Sequence, residues 1–192
     1  MNEQLLFPEA EPKPPVVFHA ACFSGHRLDK LPTGAMRRVV LSMLQEEIRK
    51  AVVRGVTTFY TGMAEGIDLY AADYIRGLRE SNSSLRLICV KPFSNCGNAL
   101  RGLVRYQFNS VLASADAVIE LSDHYYGTCF RVRNQYMIDH SDLLIAVMGE
   151  SRSGTGQTIR MAQRRMLPVH LIDITDVERH ISDRPVLVEM QP

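Results

Sequence analysis

Residues 16–27 read VVFHAACFSGHR, an unbroken apolar run that ends in a short turn of small and polar residues. A run of this length without polar alternation indicates a strand that is buried on both faces, as strands of parallel sheets are. The turn at Ser24 to Arg27 combines a hydroxyl, a glycine, an imidazole and a guanidinium. In an alternating strand–helix protein, such a turn lies at the carboxyl end of a strand, where ligands bind.

Two further turns of this kind follow an apolar run and precede a helical pattern. Residues 61–68 read TGMAEGID, and residues 153–158 read SGTGQT. At the carboxyl ends of parallel strands, unpaired backbone N–H groups and helix N-termini favour a negatively charged ligand. The three turns together predict a pocket for a phosphate-bearing, nucleotide-like molecule.

The hydrophobic pattern alternates between strand and helix along most of the chain. Strands are predicted at residues 16–23, 56–60, 85–90, 117–121, 143–148 and 168–172, with helices at 36–52, 69–78, 99–114, 130–140 and 154–165. Repeated alternation of this kind is typical of an α/β fold with a doubly wound, mostly parallel sheet flanked by helices. We expect a single domain over residues 16–175, because no linker or internal repeat interrupts it.

The two ends of the chain have a different composition. Residues 1–15 contain four prolines and several charges, which predicts a flexible tail. Residues 176–192 form a C-terminal extension whose fold the pattern leaves open, and Val186 to Val188 would add an edge strand. The amino terminus lacks the pattern of a secretory signal, and no apolar stretch is long enough to span a bilayer. We therefore expect a cytoplasmic protein without a membrane partner.

Charge and metal-ligand spacing restrict the function classes. The net charge of +1 gives no general attraction to nucleic acid, although a local basic patch stays open because several arginines lie late in the chain. The four cysteines and six histidines show no metal-ligand spacing, so no metal site is expected. The Rossmann G-x-G-x-x-G, the Walker loop and G-x-S-x-G are also absent, which argues against ordinary dehydrogenases, ATPases and serine hydrolases.

The first two turns supply candidate binding residues and three candidate acid–base groups. Backbone approach, hydroxyl contacts and charge make the following residues candidates for ligand binding: Ser24, Gly25, His26, Arg27, Gly62, Met63, Ala64, Gly66 and Asp68. Glu65, Asp68 and His26 are the groups that would carry proton transfer. Each has a structural alternative. Asp68 would also cap a helix, and the negative charge of Glu65 would interact favourably with the helix dipole. His26 has no visible partner in the sequence, which favours a binding or structural role over proton transfer.

The third turn and a preceding helix complete the candidate pocket. Backbone amides and hydroxyls at a helix N-terminus form an uncharged phosphate cradle, here Ser153, Gly154, Thr155, Gly156 and Thr158. Arg133 and Asn134 would reach the ligand from the side. The alternative for the third turn is a capped helix with a flexible entry loop. The alternative for the segment around Arg133 is a surface helix with Met137 and Ile138 in the core.

In their order along the chain, these motifs resemble the SLOG superfamily, and most of all its YpsA-like branch of bacterial proteins. The resemblance rests on FSGHR at 23–27, TGMAEGID at 61–68, KPF at 91–93, RNQYMID at 133–139, SDLLIAV at 141–147 and GTGQT at 154–158, and it covers roughly residues 16–173. It implies a Rossmann-like sheet, a homodimer, and a pocket that binds or senses a nucleotide-derived ligand such as ADP-ribose, an NAD-like molecule or a nucleoside phosphate. No certain cofactor follows from it.

Two related branches imply competing functions. The lysine-decarboxylase-like branch cleaves nucleoside monophosphates with a glutamate in G-G-x-G-T-x-x-E, but this chain has no acidic residue from Ser151 to Arg165. Enzymatic activity is therefore the less favoured hypothesis. An enzyme of this kind would hydrolyse an N-glycosidic or phosphate linkage of a nucleotide. The DNA-processing branch, similar at 61–68, binds single-stranded DNA. That function ranks second because the chain is nearly neutral and has no tryptophan.

Overall fold

The computed structural model describes residues 17–182, and strand β1, Ala20–Gly25, lies in the interior of the sheet. The strand starts later than its apolar run predicts. The backbone N–H groups of His19 and Ala20 donate to one carboxylate oxygen of Asp142, at 2.8 and 3.0 Å. A side chain at the start of the neighbouring strand thus binds this stretch, and ladder pairing begins only at Ala20.

The predicted alternation of strands and helices is confirmed. After β1 the chain forms α1 (Gly34–Val53), β2 (Thr58–Thr61), α2 (Ile67–Leu78), β3 (Arg86–Lys91), α3 (Gly102–Ser114), β4 (Ala117–Glu120), α4 (Cys129–Asp139), β5 (Leu143–Met148), α5 (Gly154–Arg164), β6 (Val169–Asp173) and α6 (Ile174–Ser182). A short 3₁₀ turn at Leu28–Lys30 follows β1. Element ends differ somewhat from the predicted ones because backbone hydrogen bonding, not hydrophobicity, defines them.

The strands form one six-stranded sheet in the order β4-β3-β2-β1-β5-β6. All neighbouring strands are parallel, and in the β1–β5 pair Ala21 lies opposite Leu143 and Phe23 opposite Ile145. The chain builds outward from β1 to β4 and then returns to add β5 and β6 on the other side of β1. This is the doubly wound, Rossmann-like arrangement, and β1 and β5 flank its topological switch point.

Two apolar clusters cover the two faces of the sheet. Because side chains alternate along a strand, Phe23 and Cys22 of β1 fall into different clusters. The larger cluster includes buried residues of α1, α2, α3 and α6, whereas the smaller one includes Met137 and Ile138 of α4 and Ile159 and Ala162 of α5. Helices on both faces explain why the strands have nearly continuous apolar sequences.

The chain beyond residue 175 begins as a helix. Helix α6 starts at Ile174, directly after β6, and Ile174 and Val177 belong to the larger apolar cluster. The first residues assigned by sequence to a C-terminal extension therefore pack on the domain. The predicted tail at 1–15 and the predicted edge strand at Val186 to Val188 lie outside the described residues.

Candidate functional site

A cleft of about 350 Å³ opens at the carboxyl ends of the strands, where the turns after β1, β2 and β5 meet. It is the place at which ligands bind in open α/β sheets. The following predicted residues line it: Ser24, Gly25, His26, Arg27, Ala64, Asp68, Arg133, Asn134, Ser153, Gly154 and Thr155. Residues that lie far apart in sequence are thus brought to one site, as the three turns predict.

The His26 side chain links the turn after β1 to the turn after β5. Its Nε2 accepts hydrogen bonds from the backbone N–H groups of Gly149 and Glu150, at 2.9 and 3.2 Å. Two donors at Nε2 place the proton of the neutral ring on Nδ1. Burial lowers the pKa of His26, and the nearby Lys30 charge adds to this effect. The arrangement is that of a neutral imidazole that positions two loops.

The turn after β2 is held by a side-chain hydrogen bond and by close packing of its backbone. Met63 has a positive φ of 60°, and its N–H donates to the hydroxyl of Thr61 at 3.3 Å. A Cβ at Gly66 (φ 98°) would lie only 2.5 Å from the carbonyl oxygen of His26, so glycine allows the start of α2 to approach the first turn. The Met63 side chain lies in the apolar core. Neither residue lines the cleft.

Asp68 and Arg133 form a buried ion pair at the floor of the cleft. Nη1 of Arg133 lies 3.7 Å from Oδ2 of Asp68 and also donates to the carbonyl oxygen of Gly62. A Cβ at Gly62 would collide with this guanidinium, so only glycine leaves room for it. Gly62 thus admits the arginine instead of lining the cleft itself.

Burial raises the pKa of Asp68 to about 6. The charge of Arg133 and the backbone N–H groups of Ala64 and Gly62 oppose this rise without cancelling it. The carboxyl therefore changes its charge near neutral pH, in contact with the cleft. Of the three candidate acid–base groups, Glu65 does not line the cleft, and His26 has Nε2 occupied. Asp68 combines a raised pKa with a carboxyl group that lines the cleft.

Arg133 keeps hydrogen-bonding capacity that its protein partners do not use. Within residues 17–182 its buried Nε has no hydrogen-bond partner. Its guanidinium carbon lies 5.9 Å from the ring centroid of Phe130, and that of Arg27 lies at the same distance from the same ring. Two guanidinium groups therefore approach one aromatic ring on the wall of the cleft.

Helix α5 points its first turn at the cleft. Ser153 caps the helix, because its Oγ accepts from the N–H of Gly156 at 3.1 Å and donates to the carbonyl of Glu150 at 2.7 Å. Gly154 and Thr155 are the first two residues of the helix, so their backbone N–H groups have no carbonyl acceptor within it. Both residues line the cleft. The capping interpretation and the anion-binding interpretation of this turn are thus compatible.

Thr158 and Gly156, two residues of the predicted cradle, stabilise the loop and the helix start without lining the cleft. The Thr158 hydroxyl donates to the carbonyl of Gly154 at 3.0 Å and accepts from Nδ2 of Asn134 at 2.7 Å, which ties α4 to α5. A Cβ at Gly156 would collide with the carbonyl of Ser151, so this glycine lets the loop fold back on the helix. Neither Thr158 nor Gly156 lines the cleft.

Three lining residues, Asp29, Lys30 and Phe130, were not predicted from the sequence. A signal for Phe130 was available, since it precedes Arg133 by three residues and Met137 by seven, which places all three on one face of α4. That face also explains why Arg133 is buried. Asp29 and Lys30 carried no such signal, because they lie in a short 3₁₀ turn whose direction depends on packing.

A larger depression of about 530 Å³ lies between α1 and β6, away from the turns. Its charged groups already pair with each other: Glu47 contacts Lys50 at 2.9 Å and His170 at 2.8 Å. We therefore place the candidate site in the smaller cleft, where glycine turns and a helix N-terminus converge.

Neither a membrane-spanning helix nor a metal cluster is found within the part of the chain that the structure describes. None of the helices there is both long and apolar enough to cross a bilayer. No group of three or more His, Cys, Asp or Glu side chains in residues 17–182 is arranged to hold a metal ion.

Comparison with known sequences gives one family and several relatives. The YpsA family model, described as the YspA SLOG family, matches residues 24–177. A UPF0398 protein of Halalkalibacterium halodurans is 24% identical over 113 residues, which cover 58% of this chain and 60% of that protein. A UPF0398 protein of Bacillus thuringiensis (strain Al Hakam) is 27% identical over 130 residues, which cover 62% of this chain and 71% of the relative.

Two solved structures share the fold. DNA processing protein A of Helicobacter pylori, whose structure was described for its single-stranded DNA binding mode, aligns with a TM-score of 0.55 at 17% identity. The alignment covers 87% of this chain and 74% of that one. DNA processing protein A of Streptococcus pneumoniae aligns with a TM-score of 0.57 at 18% identity, covering 86% of this chain and 56% of that one. At these identities the likeness concerns the fold.

Proposed function

This chain belongs to the YpsA family of SLOG proteins, and from that premise we propose that it binds a nucleotide-derived ligand in the cleft at the carboxyl edge of the sheet. The ligand class is a nucleoside phosphate, ADP-ribose or an NAD-like molecule. The protein would act as a binding or sensing module, with the occupied cleft as its signalling state. The observation that carries the proposal is the first turn of α5, which opens into a cleft at the topological switch point.

The first turn of α5 has the features of a phosphate site. The N–H groups of Gly154 and Thr155, which have no acceptor within the helix, and the positive end of the helix dipole favour an anion there. An added Cβ at Gly154 would meet nothing within 4 Å, so there is open space next to these donors. A phosphate can therefore approach the backbone closely.

The charged side chains around the cleft also favour an anionic ligand. Arg27, Lys30 and Arg133 line it together with Asp29 and Asp68. Arg27 is exposed and would close over a bound phosphate, whereas Arg133 is held in place by Asp68. While Asp68 is protonated, the lining carries two more positive than negative charges, and an anionic ligand would be attracted.

Hydrolysis of the ligand is the second candidate, and Asp68 is the observation that favours it. A carboxyl with a pKa of about 6 beside a buried arginine is suited to proton transfer near neutral pH. The reaction would cleave an N-glycosidic or phosphate linkage. Against it, α5 has no glutamate, and His26 offers no free Nε2. Binding without turnover thus remains the first proposal.

Single-stranded DNA binding is a further candidate, which the fold shared with DNA processing protein A favours. The late arginines were the sequence signal for a basic groove. In the structure Arg165 is paired with Asp139 and Arg160 donates to the carbonyl of Ser151, so part of this charge is already engaged. We rank this function below mononucleotide binding for that reason.

Gly154→Asp tests the proposed cradle. The substitution places a carboxylate beside the free N–H groups, where it would repel a phosphate and replace it as their partner. We expect the affinity for ADP-ribose or AMP, measured by isothermal titration calorimetry, to fall at least about tenfold. The fold should persist, because the added Cβ meets no neighbour and an acidic residue in the first helical turn is stabilising.

The matched control is Gly154→Ala, which adds the Cβ without the charge and should retain most of the affinity. Equal affinities of Gly154→Asp and the unmodified chain would place the ligand elsewhere. Chromatographic analysis of the ligand after incubation with the unmodified chain separates sensing from hydrolysis. If products form, Asp68→Asn should abolish turnover. Binding of single-stranded oligonucleotides alone, with no response to ADP-ribose, NAD or AMP, would favour the DNA function.

A further inference from the structure

Three aromatic side chains form a cluster at the edge of the cleft. Phe93 follows β3, Tyr125 follows β4, and Phe130 lies in the first turn of α4. The ring centroids of Phe93 and Tyr125 are 5.7 Å apart, those of Phe93 and Phe130 6.2 Å, and those of Tyr125 and Phe130 6.3 Å. We refer to these three residues as the aromatic cluster.

The aromatic cluster is exposed where a core cluster would be buried. Tyr125 is 60% exposed and Phe130 is 38% exposed. The rings meet in edge-on or tilted contacts and not in face-to-face stacks. Exposed aromatic surface next to a polar cleft is typical of a binding site.

Phe130 connects the aromatic cluster to the cleft. It lines the same cleft as Gly154 and Thr155, and the guanidinium groups of Arg27 and Arg133 both approach its ring. The cleft is therefore continuous from a phosphate cradle to an aromatic edge. Because Phe130 already has two cations against it, the more exposed Tyr125 offers the freer ring face.

We propose that the ligand is a nucleoside phosphate whose base stacks on Tyr125, while its phosphate binds the first turn of α5. This inference rests on the proposed function and deepens it, because it names the residue that would hold the base of the ligand. Every nucleobase has a flat π-face, so an aromatic platform selects for a base without reading its identity. Phe93 and Phe130 support the Tyr125 ring, and Arg27 would lie between base and phosphate.

The experiment compares AMP with ribose 5-phosphate, which has the sugar and phosphate but no base. Tyr125→Ala should weaken AMP binding about tenfold and leave ribose 5-phosphate unchanged, since stacking is lost and the cradle is intact. Tyr125→Phe should bind AMP like the unmodified chain, because it keeps the ring. Tyr106→Ala, which removes an exposed tyrosine of α3 outside the cleft, is the matched control.

A second readout uses the absence of tryptophan from the chain. Tyr125→Trp would be the sole tryptophan, and we expect AMP, but not ribose 5-phosphate, to quench its fluorescence. If both probes bind and Tyr125→Ala affects them equally, or not at all, the stacking inference is overturned and the proposed function stands. If the unmodified chain binds neither probe, nor ADP-ribose, the proposed function itself fails. Binding of an oligonucleotide with AMP inactive would overturn the mononucleotide assignment.

Discussion

Asp68 is the residue whose protonation would tune ligand binding. Burial raises its pKa to about 6, so it is neutral below that pH and negatively charged above it. The lining therefore loses net positive charge as pH rises through about 6, whereas His26, with its lowered pKa, stays neutral over the upper part of this range. We expect affinity for ADP-ribose to fall about fivefold between pH 5.5 and pH 7.5, by calorimetry at both values.

The control for this pH dependence is Asp68→Asn, which keeps the shape of the side chain and removes its charge. Its affinity for ADP-ribose should be nearly constant over the same range. ADP-ribose is the suitable probe because its diphosphate does not titrate near pH 6, unlike the phosphate of AMP. An equal pH dependence in Asp68→Asn would assign the effect to another group.

At the scale of one element, α5 depends on its cap. The Ser153 hydroxyl satisfies the N–H of Gly156 and also binds the carbonyl of Glu150, so it holds both the helix start and the loop from β5. We expect Ser153→Ala to lower the free energy of unfolding by about 1 kcal/mol, measured by urea denaturation. The loss should be local to the cap, because the apolar face of α5 is unchanged.

Ser153→Asp is the matched variant, since aspartate caps helices as well as serine does and should restore most of the stability. It also separates capping from binding. The new carboxylate would lie next to the proposed phosphate and repel it. This variant should therefore be stable but bind ADP-ribose more weakly than the unmodified chain does. Full stability of Ser153→Ala would show that the cap contributes little to the helix.

For the whole molecule, the cleft is assembled from loops of the central strands, and ligand binding should stabilise the entire domain. A ligand at a concentration of 100 times its Kd stabilises the native state by about 2.7 kcal/mol. For a chain of 192 residues, we expect ADP-ribose or AMP at that excess to raise Tm by about 5–10 °C in a thermal-shift assay. Gly154→Asp should show almost no shift at the same concentration.

The absence of any Tm shift in the unmodified chain at these ligand concentrations would contradict binding of the ligand to the native cleft. The homodimer implied by the family resemblance stays a prediction at this scale. Light scattering coupled to gel filtration, with and without AMP, measures it directly. A change in mass on adding AMP would indicate that the occupied cleft alters self-association.

Local patterns in the sequence were sufficient for the elements and for the positions of the three turns. Hydrophobic periodicity and small-residue turns act over a few residues, so the strand–helix alternation, the buried strands and the glycine turns could be read from one stretch at a time. The pocket followed because parallel strands bring their carboxyl ends to one edge. The same reasoning explains why Ser24, Asp68 and Gly154 were predicted and do line the cleft.

The roles within the site depend on contacts between distant parts of the chain. Arg133 donates to Gly62 across 71 positions, and His26 accepts from Gly149 across 123. Both contacts exist because β5 pairs with β1 in the middle of the sheet and α4 packs against β1 and β3, and no local pattern specifies this arrangement. The tertiary structure therefore decides that His26 positions loops, that Met63 lies in the core, and that Phe130 lines the cleft in contact with Tyr125. Burial and partner groups are properties of the assembled sheet.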